Sequence, residues 1–225
     1  MNYNVILTIM IIDIIKEIFN NLDIKCQIKF IQINKYFNNN LQIVDLFNIN
    51  ECYRVRLNDE IISNYKYLEK LNIQDTTIKN ISYLTNLKIL TCNRNIYDDQ
   101  IEKLDLIELY AYDSHIQNIN HLTNLKKLTT NKHIYNDNIK NLTKIRNLRL
   151  HHDSHINEVS HLKSLRILDC SHSFITDNDI KNFDLVKLYA SYCKNIKNIN
   201  HLTNLTVLEC HSTKISYENI KNLTN

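Results

Sequence analysis

From residue 67 onward the chain alternates apolar and polar positions over a few residues, pauses, and starts again on a fixed period. Eight leucines mark the beat: Leu71, Leu90, Leu109, Leu128, Leu148, Leu168, Leu188 and Leu208, spaced 19 or 20 residues apart. Two residues after each stands a second inward candidate, in order Ile73, Cys92, Ala111, Thr130, Leu150, Cys170, Ala190 and Cys210. Three residues before most of them comes another apolar side chain, as at Leu68, Leu87, Leu125, Ile145, Leu165 and Leu205. Alternation with period two predicts a short strand at each anchor. One such unit cannot bury its apolar side alone, so eight registers in a row predict strands stacked in parallel, with the core between coils.

The segments between strands come in two alternating kinds. One carries Ile116, Ile119, His121, Leu122 and Leu125, and recurs over 156–165 and 196–205. The other carries Asp177, Ile180, Lys181 and Asn182, and is matched over 98–103, 137–141 and 217–222. The L-x-x-L-x-L pattern at this period resembles a leucine-rich repeat at the short end of its range. The first kind of return segment is similar to the internalin type, with a nearly extended back. The second is similar to the repeats of F-box proteins, with a short helix on the convex side. The repeating unit is then a pair of about 40 residues. The fold class implied is α/β, a parallel leucine-rich-repeat solenoid. The resemblance also implies that the residue five after each anchor (Thr76, Asn95, Ser114, His133, Asp153, Ser173, Cys193, Thr213) turns inward and bonds the backbone of the neighbouring coil, with His133 and Asp153 fitting that role least well.

Residues 1–40 keep a helical period instead. Ile11, Ile14, Ile15, Ile18, Phe19 and Leu22 form one stripe. Asn20, Asn21 and Asp23 break it, and Asp23 can cap a second run holding Cys26, Phe30, Ile33 and Phe37 on one face. Asn38, Asn39 and Asn40 end that run. Over residues 9–40 this segment resembles an F-box: Met10 stands at the motif's leucine, Asp13 at its glutamate, Ile14 and Ile15 at I-L, Ile18 and Phe19 at I-F, and Leu22 at the last leucine. Ile33, Lys35 and Phe37 resemble V-C-K-x-W. Ile11 replaces the motif's proline and Phe37 its tryptophan. The resemblance implies docking on a Skp-type adaptor of a cullin–RING ubiquitin ligase through Met10, Asp13, Ile14, Ile15, Ile18, Phe19 and Leu22. The alternative is a helical cap on the solenoid's open end. Residues 41–66 would hold a linker and a degenerate first repeat around Tyr53, Val55 and Leu57, and residues 67–225 the array. A cap would abut the array, so that interval favours the F-box.

Composition changes this picture in few places. The chain has no glycine, proline or tryptophan. Every turn is therefore made without glycine, and Asn and Asp are expected at left-handed positions. The same absence removes any glycine-rich phosphate loop. The bias toward A- and T-rich codons, joined to the F-box–repeat pairing, looks like proteins of giant DNA viruses of amoebae. A net charge of +3 is too small to point to nucleic acid or an anionic membrane. Of six cysteines, Cys92, Cys170 and Cys210 fall at inward positions, Cys193 at a turn, and Cys26 and Cys52 alone. That is not a disulfide framework, and it suits a reducing, cytoplasmic setting. The apolar run from Val5 to Ile15 includes Asp13 and lacks a basic start, so neither a signal peptide nor a membrane span is expected.

Metal and catalytic chemistry find little support. His121, His161 and His201 recur in alternate repeats, which places them about 10 Å apart on stacked strands, too far to share one ion. His151, His152 and His155 are closer but lack a supporting cluster of cysteines or carboxylates. No cofactor and no enzymatic activity are expected. The outward strand positions are the natural recognition surface. Tyrosine and arginine in mid-array, the residue types that dominate interface energetics, single out Tyr110, Tyr112, Arg149, His151, Asp169 and Tyr189 as substrate-binding residues. The resulting expectation is a monomeric substrate-recognition adaptor of a ubiquitin ligase, whose partners are a Skp-type adaptor and a target protein. A plain repeat-domain interaction module is the alternative. The last repeat stops at Leu223 without a cap, which leaves end-to-end association open.

Overall fold

A computed structural model describes residues 21–23, 26–27 and 42–223. Nine strands, β1 (Asp45–Leu46), β2 (Lys70–Asn72), β3 (Ile89–Thr91), β4 (Glu108–Tyr110), β5 (Lys127–Thr129), β6 (Asn147–Arg149), β7 (Ile167–Asp169), β8 (Lys187–Tyr189) and β9 (Val207–Glu209), form one parallel sheet in chain order. The registers pair leucine with leucine along the whole row, from Leu46 on Leu71 to Leu188 on Leu208. The anchors from Leu71 to Leu188 are fully buried, as are the inward partners Ile73, Ala111, Thr130 and Ala190. Leu208 is only half-buried, because β9 has no following coil among the described residues. Truncating one interior anchor to alanine would cost about 2–5 kcal/mol.

The alternation of return segments is present in the backbone. Short helices α1 (Glu51–Arg54), α2 (Asp59–Ile62), α3 (Asp98–Ile101) and α4 (Asp177–Ile180), with 3-10 turns at Asn136–Asn138 and Tyr217–Asn219, lie in the segments that follow strands. From α2 onward they occur in every second repeat, and the segments between them are non-helical. In α2, α3, α4 and the turn at Asn136–Asn138 the first residue ties the segment to the next coil. Asp59 Oδ1 accepts from the amides of Lys79 and Asn80, Asp98 Oδ1 from Gln117 and Asn118, and Asp177 Oδ1 from Lys197 and Asn198. Asn136 does the same for Asn157 and Glu158. The recurring histidines serve the other end of these segments: Nε2 of His121, His161 and His201 meets the carbonyl of Ile101, Ile139 and Ile180 at 3.0, 3.1 and 3.0 Å. They fasten coil to coil.

Three expectations are corrected. The degenerate first repeat has its strand at Asp45–Leu46, and Tyr53 lies in α1 instead. The array thus begins soon after residue 40, and the interval that favoured an F-box over a cap closes. Second, left-handed backbone occurs at Asp75, His172, Tyr192 and Ser212, four residues after Leu71, Leu168, Leu188 and Leu208, so only one of these corners uses Asp or Asn. The same position after Leu90, Leu109, Leu128 and Leu148 is not left-handed, Asp113 included, so residue type does not predict which corners adopt it.

Third, several of the residues five after the anchors bond their own coil. Thr76, Ser114 and Thr213 hydroxyls donate to the carbonyls of Ile73, Ala111 and Cys210. Cys193 and Asn95 act as expected, the thiol reaching the Ser173 and Ile175 carbonyls of the preceding coil at 3.4 and 3.3 Å and Asn95 Nδ2 the Ile78 carbonyl at 3.5 Å. In two coils most of that work falls to the asparagine two residues earlier, Asn93 and Asn131. Asn93 Nδ2 donates to the Thr76 carbonyl, the Thr76 hydroxyl and the Ile78 carbonyl. Of the proposed F-box positions, Met10, Asp13, Ile14, Ile15, Ile18 and Phe19 lie outside the described residues, while Leu22 is half-buried. Asp23 does act as a cap, its Oδ1 accepting from the Cys26 amide at 2.9 Å.

Candidate functional site

Each strand points its central leucine inward, so the residues on either side of it face out. Side by side on parallel strands, these outward residues line an open groove of about 1060 Å³ on the strand face. Five of the six residues expected to bind substrate line it: Tyr110, Tyr112, Arg149, Asp169 and Tyr189. His151 does not. It is 9% exposed, and Asn93 and Asn131, at the same place in their repeats, are 4% and 1% exposed. All three stand three residues after an anchor, where the strand has ended. Each folds its side chain under the corner to accept from the amide two residues on, that of Asn95, His133 or Asp153. His151 instead supports the rim, with Tyr112 packed against its ring at 4.7 Å between centroids.

The groove's polar groups are held in place. The Tyr110 hydroxyl donates to Glu108 at 2.8 Å, and the Lys127 ammonium lies 4.9 Å over the Tyr110 ring. Partial burial pushes the Tyr110 phenol up, and its hydrogen bond to Tyr110 pushes the Lys127 ammonium up, so Lys127 remains charged. Phe47, from the coil of β1, meets Tyr110 at 5.9 Å between ring centroids. On β6 and β7, which are in register, Arg149 Nε lies 3.1 Å from Asp169 Oδ2, while Asp169 Oδ1 accepts from the Ser171 amide. The residues preceding four of the anchors, Lys127, Asn147, Ile167 and Lys187, also line the groove. They were missed in the sequence, although the alternation that turns each leucine inward turns both its neighbours outward.

Reactive chemistry has no foothold among the described residues. Burial pushes the Cys92 thiol far up, and a hydrogen bond to Cys193 together with burial does the same to Cys170. Acceptance from Cys170 pulls Cys193 down to about 7, yet its own contacts to two carbonyls favour the thiol, and complete burial denies it a substrate. His151, His152 and Asp153 bring one ligand atom each within 4.8 Å of one another. His151 Nδ1 already accepts from the Asp153 amide, which puts the ring proton on Nε2 and leaves no lone pair for a metal. No helix of the described residues is long and apolar enough to cross a membrane.

Comparison with known proteins places the architecture. No family model and no curated protein matches the chain. Among solved structures it is similar to an internalin, InlF, of Listeria monocytogenes, with TM-score 0.53 and 20% identity over 74% of this chain and 68% of that one. It is similar to the functional domain of Listeria InlJ, which includes a cysteine ladder, with TM-score 0.57 and 20% identity over 91% of this chain and 45% of that one. A leucine-rich-repeat protein of Leptospira interrogans gives TM-score 0.52 and 21% identity over 72% and 47%. The chain therefore spans less than half the length of two of these three proteins. With the repeat pattern, the leucine register and these likenesses together, the fold is that of a leucine-rich-repeat solenoid.

Proposed function

We propose that this chain is a protein-interaction module that holds a partner protein in the groove of its strand face and does no chemistry of its own. The observation that carries this reading is the fixed row of Tyr110, Arg149, Asp169 and Tyr189 on four of the parallel strands, open to solvent beside Tyr112. Tyrosine and arginine supply large contact area and directional hydrogen bonds, and a solenoid presents them over a long surface. A test is to compare partner binding by wild type with a Tyr110→Ser/Tyr189→Ser variant and a Phe174→Ser/Tyr217→Ser control. Loss in the first variant alone supports the reading. Equal retention in both overturns it.

A second, finer reading rests on the F-box resemblance of residues 9–40. In it, Ile14, Ile18, Phe19 and Leu22 dock on a Skp-type adaptor, and the groove holds a target near a ubiquitin-conjugating enzyme, in the cytoplasm of a viral host. Pull-down with a eukaryotic Skp adaptor, beside an Ile18→Asp/Phe19→Asp variant, decides it. Binding abolished in the variant supports ligase coupling. No binding by the folded wild type leaves the interaction module, with residues 1–40 as a cap.

A further inference from the structure

The charge along the groove is not evenly spread. Strands β5 to β8 present Lys127, Arg149 and Lys187 against one carboxylate, Asp169, whereas the flanking strands β4 and β9 present Glu108 and Glu209. Lys127 leans back toward Glu108, at 3.8 Å, and over Tyr110. Lys187 has no ion pair among the described residues, which leaves Lys187 and Arg149 as the open cations of the centre.

Arg149 is set up in a particular way. Its side chain is 67% exposed, and its one ion pair runs through Nε to Asp169 Oδ2 at 3.1 Å. Asp169 is itself fixed from behind by the Ser171 amide, at 3.2 Å. The guanidinium is thereby held on its Nε side, and neither terminal nitrogen makes a hydrogen bond among the described residues. That edge of an arginine fork matches the two oxygens of a carboxylate. Asp169 acts here as a positioning residue. It lowers the local charge but holds the fork in the groove.

We infer that the groove takes an extended peptide segment of the partner with an acidic side chain, aspartate or glutamate, at its centre, received by the terminal nitrogens of Arg149, with Lys187 beside it and basic residues toward the ends facing Glu108 and Glu209. The geometry suits this length. Rungs about 4.8 Å apart put β5 and β8 about 14 Å from each other, the span of about four extended residues. The inference rests on the proposed function and names the class of segment that the groove would accept.

The test uses the full chain, labelled with nitrogen-15, and three ten-residue probes: one with two central glutamates and lysines at each end, one with glutamine in place of those glutamates, and one with central lysines. The Arg149 Nε–Hε resonance should shift saturably with the glutamate probe and not with the other two. Affinity for the glutamate probe should fall about tenfold in Arg149→Gln, the loss of a charge-assisted bidentate contact, and Arg149→Lys should recover only part of it. Both variants alter an exposed side chain, so the fold is retained. Shifts at Tyr110 and Tyr189 that are the same for all three probes and unaffected by either variant would overturn the acidic specificity while leaving groove binding intact. Shifts confined to residues outside the groove would overturn both.

Discussion

Asn93 and Asn131 stand 38 residues apart and make the same three hydrogen bonds, Asn93 to Thr76 and Ile78, Asn131 to Ser114 and Ile116. In both cases the amide oxygen accepts from the backbone two residues on. The structural period of this part of the array is therefore two coils, as the alternating return segments indicate.

Removing either amide takes the side-chain donor from two buried carbonyls, those of Thr76 and Ile78 or of Ser114 and Ile116. Asn93→Ala or Asn131→Ala should cost about 2–4 kcal/mol in urea denaturation. A cost below about 1 kcal/mol would mean that the coils do not rely on this ladder.

The left-handed corners are a reserve of stability. Ser212 has φ 54° with a side chain that gains nothing from it, whereas Tyr192, at φ 61°, stacks on His172 with ring centroids 4.5 Å apart. Ser212→Gly should raise stability by about 0.5–1 kcal/mol, since glycine enters this region without the steric cost. Tyr192→Gly should gain less, because it also removes the stack. A lower urea midpoint for Ser212→Gly would contradict the assignment.

Acid should weaken the middle of the array. Burial, then Lys132 and His115, hold the His133 pKa down, and burial, then His152, hold His151 down. Both are therefore lower folded than unfolded, where histidine titrates near ~6.5. The unfolded chain binds protons first, so this contribution is complete above pH ~6.5 and is lost as pH falls through the folded values. The urea midpoint should drop between pH 7.5 and 5.5, and the drop should shrink in a His133→Gln/His151→Asn variant. An unchanged pH profile in that variant would remove these two histidines as the cause.

Much of the fold was legible because stacking makes the same demand in every coil. All eight anchor leucines lie where the period put them, and the alternation of return segments was visible in Asp98 and Asp177 on one side and His121, His161 and His201 on the other. β1 escaped because Leu46 stands 25 residues before Leu71, outside the 19- or 20-residue beat, on a strand of two residues. The groove was half legible. Tyr110, Arg149, Asp169 and Tyr189 come directly after each leucine and face out, but three residues after the leucine, past the strand's end, direction varies: Tyr112 lines the groove while His151 folds under its corner to accept from the Asp153 amide. Extending period two by one step placed His151 on the wrong side. Not using the step before the leucine hid Lys127 and Lys187.

The central claim is that a partner protein occupies the strand-face groove. Photo-crosslinking from a benzophenone side chain at Tyr189, inside the groove, and at Tyr217, 77% exposed and outside it, tests this most directly. Crosslinks to a partner from position 189 and none from 217 are the predicted result. A partner captured from 217 but never from 189 would move recognition off the strand face and contradict the account.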